Sequence, residues 1–163
     1  MSGFALWCAV LAWAVVALVV PGPAAAAWTV RPEPKAPRGA PRCVLESERQ
    51  ALFDGYQDTW AQIVVDGATV RVSSASTLDP GDRDIGLSVD GGTFVPADDV
   101  VGGRTAVFST PYGRLIDDFR RGLRVRVQLR FWPTWPKTGT HSVTFGLIGF
   151  TRAHARMPDC GAP

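Results

Sequence analysis

The chain has 163 residues with 17 basic and 15 acidic side chains, a net charge of +2, 20% charged and 10% aromatic residues. That composition excludes an intrinsically disordered chain. The charge is too small for a nucleic-acid binder, and neither an arginine-rich helix nor a zinc-finger spacing is present. The first charged side chain is Arg31, so the chain beyond the N-terminal segment amounts to one domain of roughly 135 residues.

Gly3 to Val20 is an uncharged, largely apolar run ended by Pro21-Gly22-Pro23 and the alanines 24–27. This predicts a signal peptide over 1–27, cleaved after Ala26 or Ala27, and hence a periplasmic or secreted protein. The run is also just long enough for a retained membrane anchor, the only membrane contact the sequence offers. No basic residue precedes it, and Arg31, Lys35, Arg38 and Arg42 follow it, which a tidy signal peptide would reverse.

Residues 28–42 carry prolines at 32, 34, 37 and 41 and read as an extended proline-rich linker outside the core. The domain proper is expected over 43–163. With the leader gone, Cys43 and Cys160 remain, and an even pair in an exported chain is most simply a disulfide. Closing a loop of about 117 residues stabilises by at most about 4–5 kcal/mol in the loop-entropy model.

Ile63-Val64-Val65, Asp66-Gly67 and Ala68 to Val72 predict a hairpin with a type I′ turn. Asp79-Pro80-Gly81-Asp82 is a turn, Ile85 to Val89 a short strand closed by Asp90-Gly91-Gly92, and Val107-Phe108 part of another strand after Gly102-Gly103. Thr110 as cap, Pro111 in the first turn, and Tyr112, Leu115, Ile116 and Phe119 at helical spacing predict a helix. Arg120 and Arg121 suit its C-terminus and Gly122 stops it. Leu123 to Phe131 alternates strictly, with Leu123, Val125, Val127, Leu129 and Phe131 toward a core and Arg124, Arg126, Gln128 and Arg130 away from it. Ser142 to Ile148 is its expected antiparallel neighbour, and a short helix is expected between Thr151 and Met157. Together these predict a mainly β fold, an antiparallel β-sandwich or half-barrel with one or two short helices.

The Asp90-Gly91-Gly92 turn, the helix ending at Arg121-Gly122 before an alternating strand, and the terminal run Phe145-Gly146-Leu147-Ile148-Gly149-Phe150-Thr151-Arg152-Ala153 occur in that order. That order resembles the invasion-associated locus B family of exported bacterial β-sandwich proteins. A cysteine near each end is also similar to a periplasmic protein associated with type VI secretion. The chain departs from the first family in lacking mid-domain cysteines and in its Phe131-Trp132-Pro133-Thr134-Trp135-Pro136 loop. The resemblance covers about half of the mature chain and implies an envelope or secreted protein, linked in some relatives to host cells. It carries no enzymatic residues over.

Two surfaces are candidates for binding an envelope component or protein partner. Trp132 and Trp135 either offer indole faces to a sugar ring, a proline-rich peptide or another protein, or fold back as lids on the core. Arg124, Arg126 and Arg130, joined by Arg71, either attract an anionic partner or form a solvated face balanced by carboxylates. Asp79, Asp82, Asp84 and Asp90 lack the spacing of a calcium loop, and turn chemistry explains them. No catalytic motif surrounds His141 or His154, so no enzyme, cofactor or metal is expected. A hydrolase using either histidine with an aspartate is the less favoured alternative.

Overall fold

In the computed structural model, residues 27–33, 43–81, 83–133 and 139–159 are described. The expected signal peptide, most of the linker, Asp82, Trp135 and Cys160 lie outside them. The described residues form eleven strands and two helices: β1 Trp28–Pro32, β2 Cys43–Ser47, β3 Gln50–Phe53, β4 Asp58–Val65, β5 Val70–Ser74, β6 Gly86–Val89, β7 Val95–Pro96, β8 Asp99–Val101, β9 Thr105–Phe108, α1 Tyr112–Arg121, β10 Arg124–Leu129, β11 His141–Gly146 and α2 Phe150–Ala155, followed by a 3₁₀ turn at Met157–Asp159. All strand pairs are antiparallel. One sheet runs β1-β2-β4-β5-β9-β8 with β3 also on β4, and the other runs β11-β10-β6-β7. The mainly β, sandwich-like architecture is the one the sequence predicts.

The alternation in β4 and β10 places Ala61, Ile63 and Val65 from one sheet, and Val125, Val127 and Leu129 from the other, in a shared core. Burying these chains is the main source of stability. Where β2 breaks into β3, Ser47 repairs the ladder: its Oγ accepts the Ile63 N–H at 2.9 Å and donates to the Glu48 carbonyl at 2.8 Å. Asp54, also buried, accepts from the amides of Tyr56 and Gln57 and from the Ser76 hydroxyl at 2.8, 2.9 and 2.5 Å. These donors satisfy a charge that would be costly to bury alone.

Four expectations need correction. Trp28–Pro32 is not linker: it pairs with β2, and Trp28 is buried with its Nε1–H donating to the Gly146 carbonyl at 2.9 Å. Its ring meets Phe150 edge-on at 5.0 Å, and Phe150 meets Phe119 at 5.3 Å, so this strand closes the core against both helices. Proline is admitted because β1 is an edge strand.

The 65–70 hairpin uses a four-residue loop rather than a two-residue turn. Asp66 accepts from the amides of Ala68 and Thr69, and its own N–H bonds the Thr69 carbonyl. Thr110 does not cap α1. Pro111 holds that position without a side-chain cap, and the Asp98 carboxylate takes the amides of Ser109 and Thr110 just ahead of it. Finally, Leu123 lies outside β10 and is 66% exposed, although it continues the apolar register of that strand.

Candidate functional site

The arginines of β10 and the one directly after it divide into two groups. Arg124 and Arg126 point away from the core and are exposed, with Arg126 donating to the Ser142 Oγ at 3.1 Å. Arg130 instead forms a fork-like ion pair with Asp84, its Nε 3.1 and 3.0 Å from the two carboxylate oxygens and its Nη2 also bound. Gln128 adds a bond to the Asp84 backbone carbonyl at 2.8 Å. This pairing removes Arg130 from the open row and assigns it to holding the Asp84 turn against β10. Arg71 belongs to the other sheet, 3.3 Å from Asp66 and 3.6 Å from Glu33. Proximity in type and alternation made it look like a member of the same patch, but sheet topology separates them.

Trp132 is 60% exposed, which removes the core-lid reading for that indole. Its backbone is held on the N-terminal side: its N–H donates to the Thr77 carbonyl at 2.9 Å, and the preceding Phe131 is buried and bridged to Leu78. The ring therefore projects from an anchored base. Trp135 lies outside the described residues.

Neither histidine is paired with a carboxylate among the described residues. His141 packs near Phe131 with its Nε2 buried. His154 packs near Phe150, its Nε2 also buried and its Nδ1 3.4 Å from an Arg120 guanidinium nitrogen. Burial, reinforced by the Arg120 charge, holds the His154 pKa below the usual imidazole value. The aspartates of the suspected acidic cluster are spent locally: Asp79 on the Gly81 amide, Asp84 on Arg130, and Asp90 on the amides of Leu123 and Arg124.

One concavity is marked by no sequence motif. A groove of about 520 Å³ lies between α1 and the β6–β7 connection. Leu87, Val89, Phe94, Val95, Pro111 and Leu115 supply its apolar lining, and Asp90, Asp98, Arg114, Asp118 and Arg121 supply its polar groups. Phe94 reaches it across Gly86, where a Cβ would fall 2.3 Å from the ring and 2.5 Å from the Val95 carbonyl oxygen. Glycine is needed there for close approach, and it keeps Phe94 41% exposed on the groove side of β6.

The charges of the groove are mostly committed. Asp118 is shared by Arg121 at 3.2 Å and Arg114 at 4.0 Å. One oxygen of Asp98 receives the Ser109 amide, the Ser109 hydroxyl and the Thr110 amide at 2.6, 2.7 and 3.0 Å. Partial burial would raise the Asp98 pKa, but these donors outweigh it and hold the group below the ordinary carboxylate range. The groove is thus an apolar floor with fixed, hydrogen-bonded charges at its margin, the usual composition of a recognition site.

The residues that build it come from 87–98 and 110–122, two segments whose proximity depends on how the helix returns over the smaller sheet. The sequence signal that could have flagged it is Phe94, a large apolar residue stranded beside Asp90-Gly91-Gly92.

No family model and no curated protein matches the sequence. Among solved structures, the fold is similar to that of invasion associated protein B from Bartonella henselae, with a TM-score of 0.53 and 14% identity over 82% of this chain and 93% of that one. The likeness is one of fold.

Proposed function

We propose that this is an exported, non-enzymatic binding domain of the bacterial envelope that holds an apolar segment of a protein partner in the groove between α1 and β6–β7. The groove itself carries this reading. It is preformed and floored by apolar side chains, and its Asp98 and Asp118 carboxylates are engaged by backbone amides, a hydroxyl and arginines, which suits recognition of an apolar segment. The likeness to an invasion associated protein supports an envelope or host-facing setting.

Export is supported by the apolar leader and by the arrangement around Cys43. That residue is buried at the start of β2, and the 3₁₀ turn that immediately precedes Cys160 packs on the same strand. A Cys43–Cys160 bridge would staple the two ends of the domain. Intact-mass measurement of the exported protein should give a chain beginning at Ala27 or Trp28 that gains two mass units on reduction.

Binding is tested by selecting displayed random peptides on the wild type and measuring them by calorimetry. Selected peptides should share apolar anchors and lose most of their affinity to Phe94→Asp, a change at an exposed ring that leaves the core alone. Peptides that bind Phe94→Asp equally well would place the site elsewhere. Trp132 is the second candidate, favoured by its exposure on an anchored base, and Trp132→Ala in the same assay separates the two sites.

A further inference from the structure

We propose a second, separate surface: the end of the sandwich that carries Leu123 and Ile148 is a docking tip for an anionic lipid bilayer. Leu123 is 66% and Ile148 80% exposed, the latter directly after the buried Leu147. They sit on two loops that are fastened together. The Leu147 amide donates to the Leu123 carbonyl at 2.9 Å, and the amides of Leu123 and Arg124 donate to the Asp90 carboxylate at 2.9 Å each. The Thr151 hydroxyl donates to the Arg120 carbonyl at 3.3 Å, which ties the start of α2 to the end of α1. The two aliphatic side chains are therefore presented by a rigid frame instead of being left exposed by a slack one.

Arginines border this tip in the sequence of both loops: Arg120 and Arg121 at the end of α1, Arg124 at the start of β10, and Arg152 in α2. Arg120 and Arg121 have carboxylate partners on their own helix, Asp117 and Asp118. Arg124 and Arg152 have no ion-pair partner among the described residues. Asp90, the remaining local carboxylate, uses both oxygens on backbone amides. Aliphatic side chains that enter the acyl boundary, bordered by guanidinium groups at the depth of lipid phosphates, are the chemistry of interfacial membrane attachment.

A second copy of the chain fits this end poorly. A two-fold interface centred here would bring the arginine-bearing ends of both copies together. Two side chains also fall well short of the roughly 1,000 Å² that a specific protein interface buries. A bilayer demands neither shape complementarity nor that area, and its negative surface matches the unpaired arginines.

The test is co-sedimentation of the exported protein with vesicles of phosphatidylcholine alone or mixed with phosphatidylglycerol. Binding to the mixed vesicles is expected, with little to phosphatidylcholine. Leu123→Ser with Ile148→Ser should weaken it on the order of tenfold, and Arg124→Ala and Arg152→Ala by roughly fivefold each. All four positions are exposed, and superimposable melting curves will show that the variants fold. Phe94→Asp should leave vesicle binding unchanged, which keeps this result independent of the groove. Failure to bind mixed vesicles, equal binding by the serine variant, or a dimer in lipid-free solution that the serine variant abolishes would each overturn the proposal.

Discussion

Gly122 gives the sharpest test of how this end of the molecule is assembled. Its φ is −79°, an ordinary value for any residue, so the left-handed conformation that usually explains glycine after a helix does not apply. The reason is space. A Cβ at this position would lie 2.3 Å from Val89 Cγ1, 2.9 Å from the Asp118 carbonyl oxygen and 3.1 Å from Leu147 Cδ1. The Gly122 amide also closes α1 by donating to that same Asp118 carbonyl at 2.8 Å, so the helix end cannot retreat without lengthening its last hydrogen bond. Overpacking of this kind costs about 1–3 kcal/mol, and a weakened terminal bond adds about 1 kcal/mol. Gly122→Ala should therefore destabilise by about 2–4 kcal/mol in urea titration, or lower the melting temperature by roughly 6–15 °C for a domain of this size. Val89→Ala in the Gly122→Ala background should restore part of the loss, with a coupling of about 1 kcal/mol or more in the double-mutant cycle. A neutral Gly122→Ala, or strictly additive effects, would refute the close-packing account.

Gly113 is the contrasting case: it lies inside α1 with nothing within 4 Å of its missing Cβ, so Gly113→Ala should raise stability by about 0.5–1 kcal/mol in the same titration. The low pKa of His154 has a definite sign, because below about pH 6.5 the unfolded chain takes up a proton that the folded one resists. Stability should therefore fall as pH drops from about 6.5 toward the folded pKa, and His154→Gln should flatten urea midpoints across that window. Asp98 acts lower: its folded pKa lies below the unfolded value, so its contribution is complete above about pH 4 and lost as pH falls through the folded value. Acid unfolding followed by circular dichroism should show a shallower pH dependence in Asp98→Asn. Arg130→Ala should cost about 1–3 kcal/mol by leaving the half-buried Asp84 without its partner, while Arg126→Ala, at an exposed side chain bonded to Ser142, should change the melting point little.

Elements with strong local periodicity were legible in the sequence. The alternation from Leu123 to Phe131 and the 3.6-residue spacing of Tyr112, Leu115, Ile116 and Phe119 record one-sided burial directly; the helix stands where its pattern places it, and β10 occupies Arg124–Leu129 of the alternating stretch. The failures occur where a nonlocal contact overrides a local one. Proline density argued for a linker at Trp28–Pro32, but an indole that reaches Gly146, more than a hundred residues away, cannot be inferred from local composition. Leu123 continued the apolar register and was assigned to the core, yet the strand begins one residue later and leaves it outside. Thr110 carries the right side chain for a cap, yet Pro111 holds the cap position without a side-chain bond, and the Thr110 amide is instead taken by Asp98 from a distant connection. The groove was illegible for the same reason: its two walls come from segments with no mutual pattern, and Phe94 acquires meaning only once α1 is laid beside it.

The junction around Gly122 links the two proposed surfaces physically. Gly122 and Val89 belong to the groove lining, and their contact sets how closely α1 lies against β6. One residue further, Leu123 opens the exposed tip, its amide held by Asp90 and its carbonyl by Leu147. Asp90 itself lines the groove and adopts a left-handed φ of 48°, a conformation aspartate tolerates better than most residues. Its carboxylate thereby reaches the start of β10. A side chain that both lines the groove and fastens the tip leaves little play between them. Each surface is ordered before it meets anything, so binding at either one loses little conformational entropy. For the same reason, Asp90→Ala should loosen both at once, lowering peptide affinity in the groove and vesicle binding at the tip together, whereas Phe94→Asp and Leu123→Ser with Ile148→Ser each act on one alone.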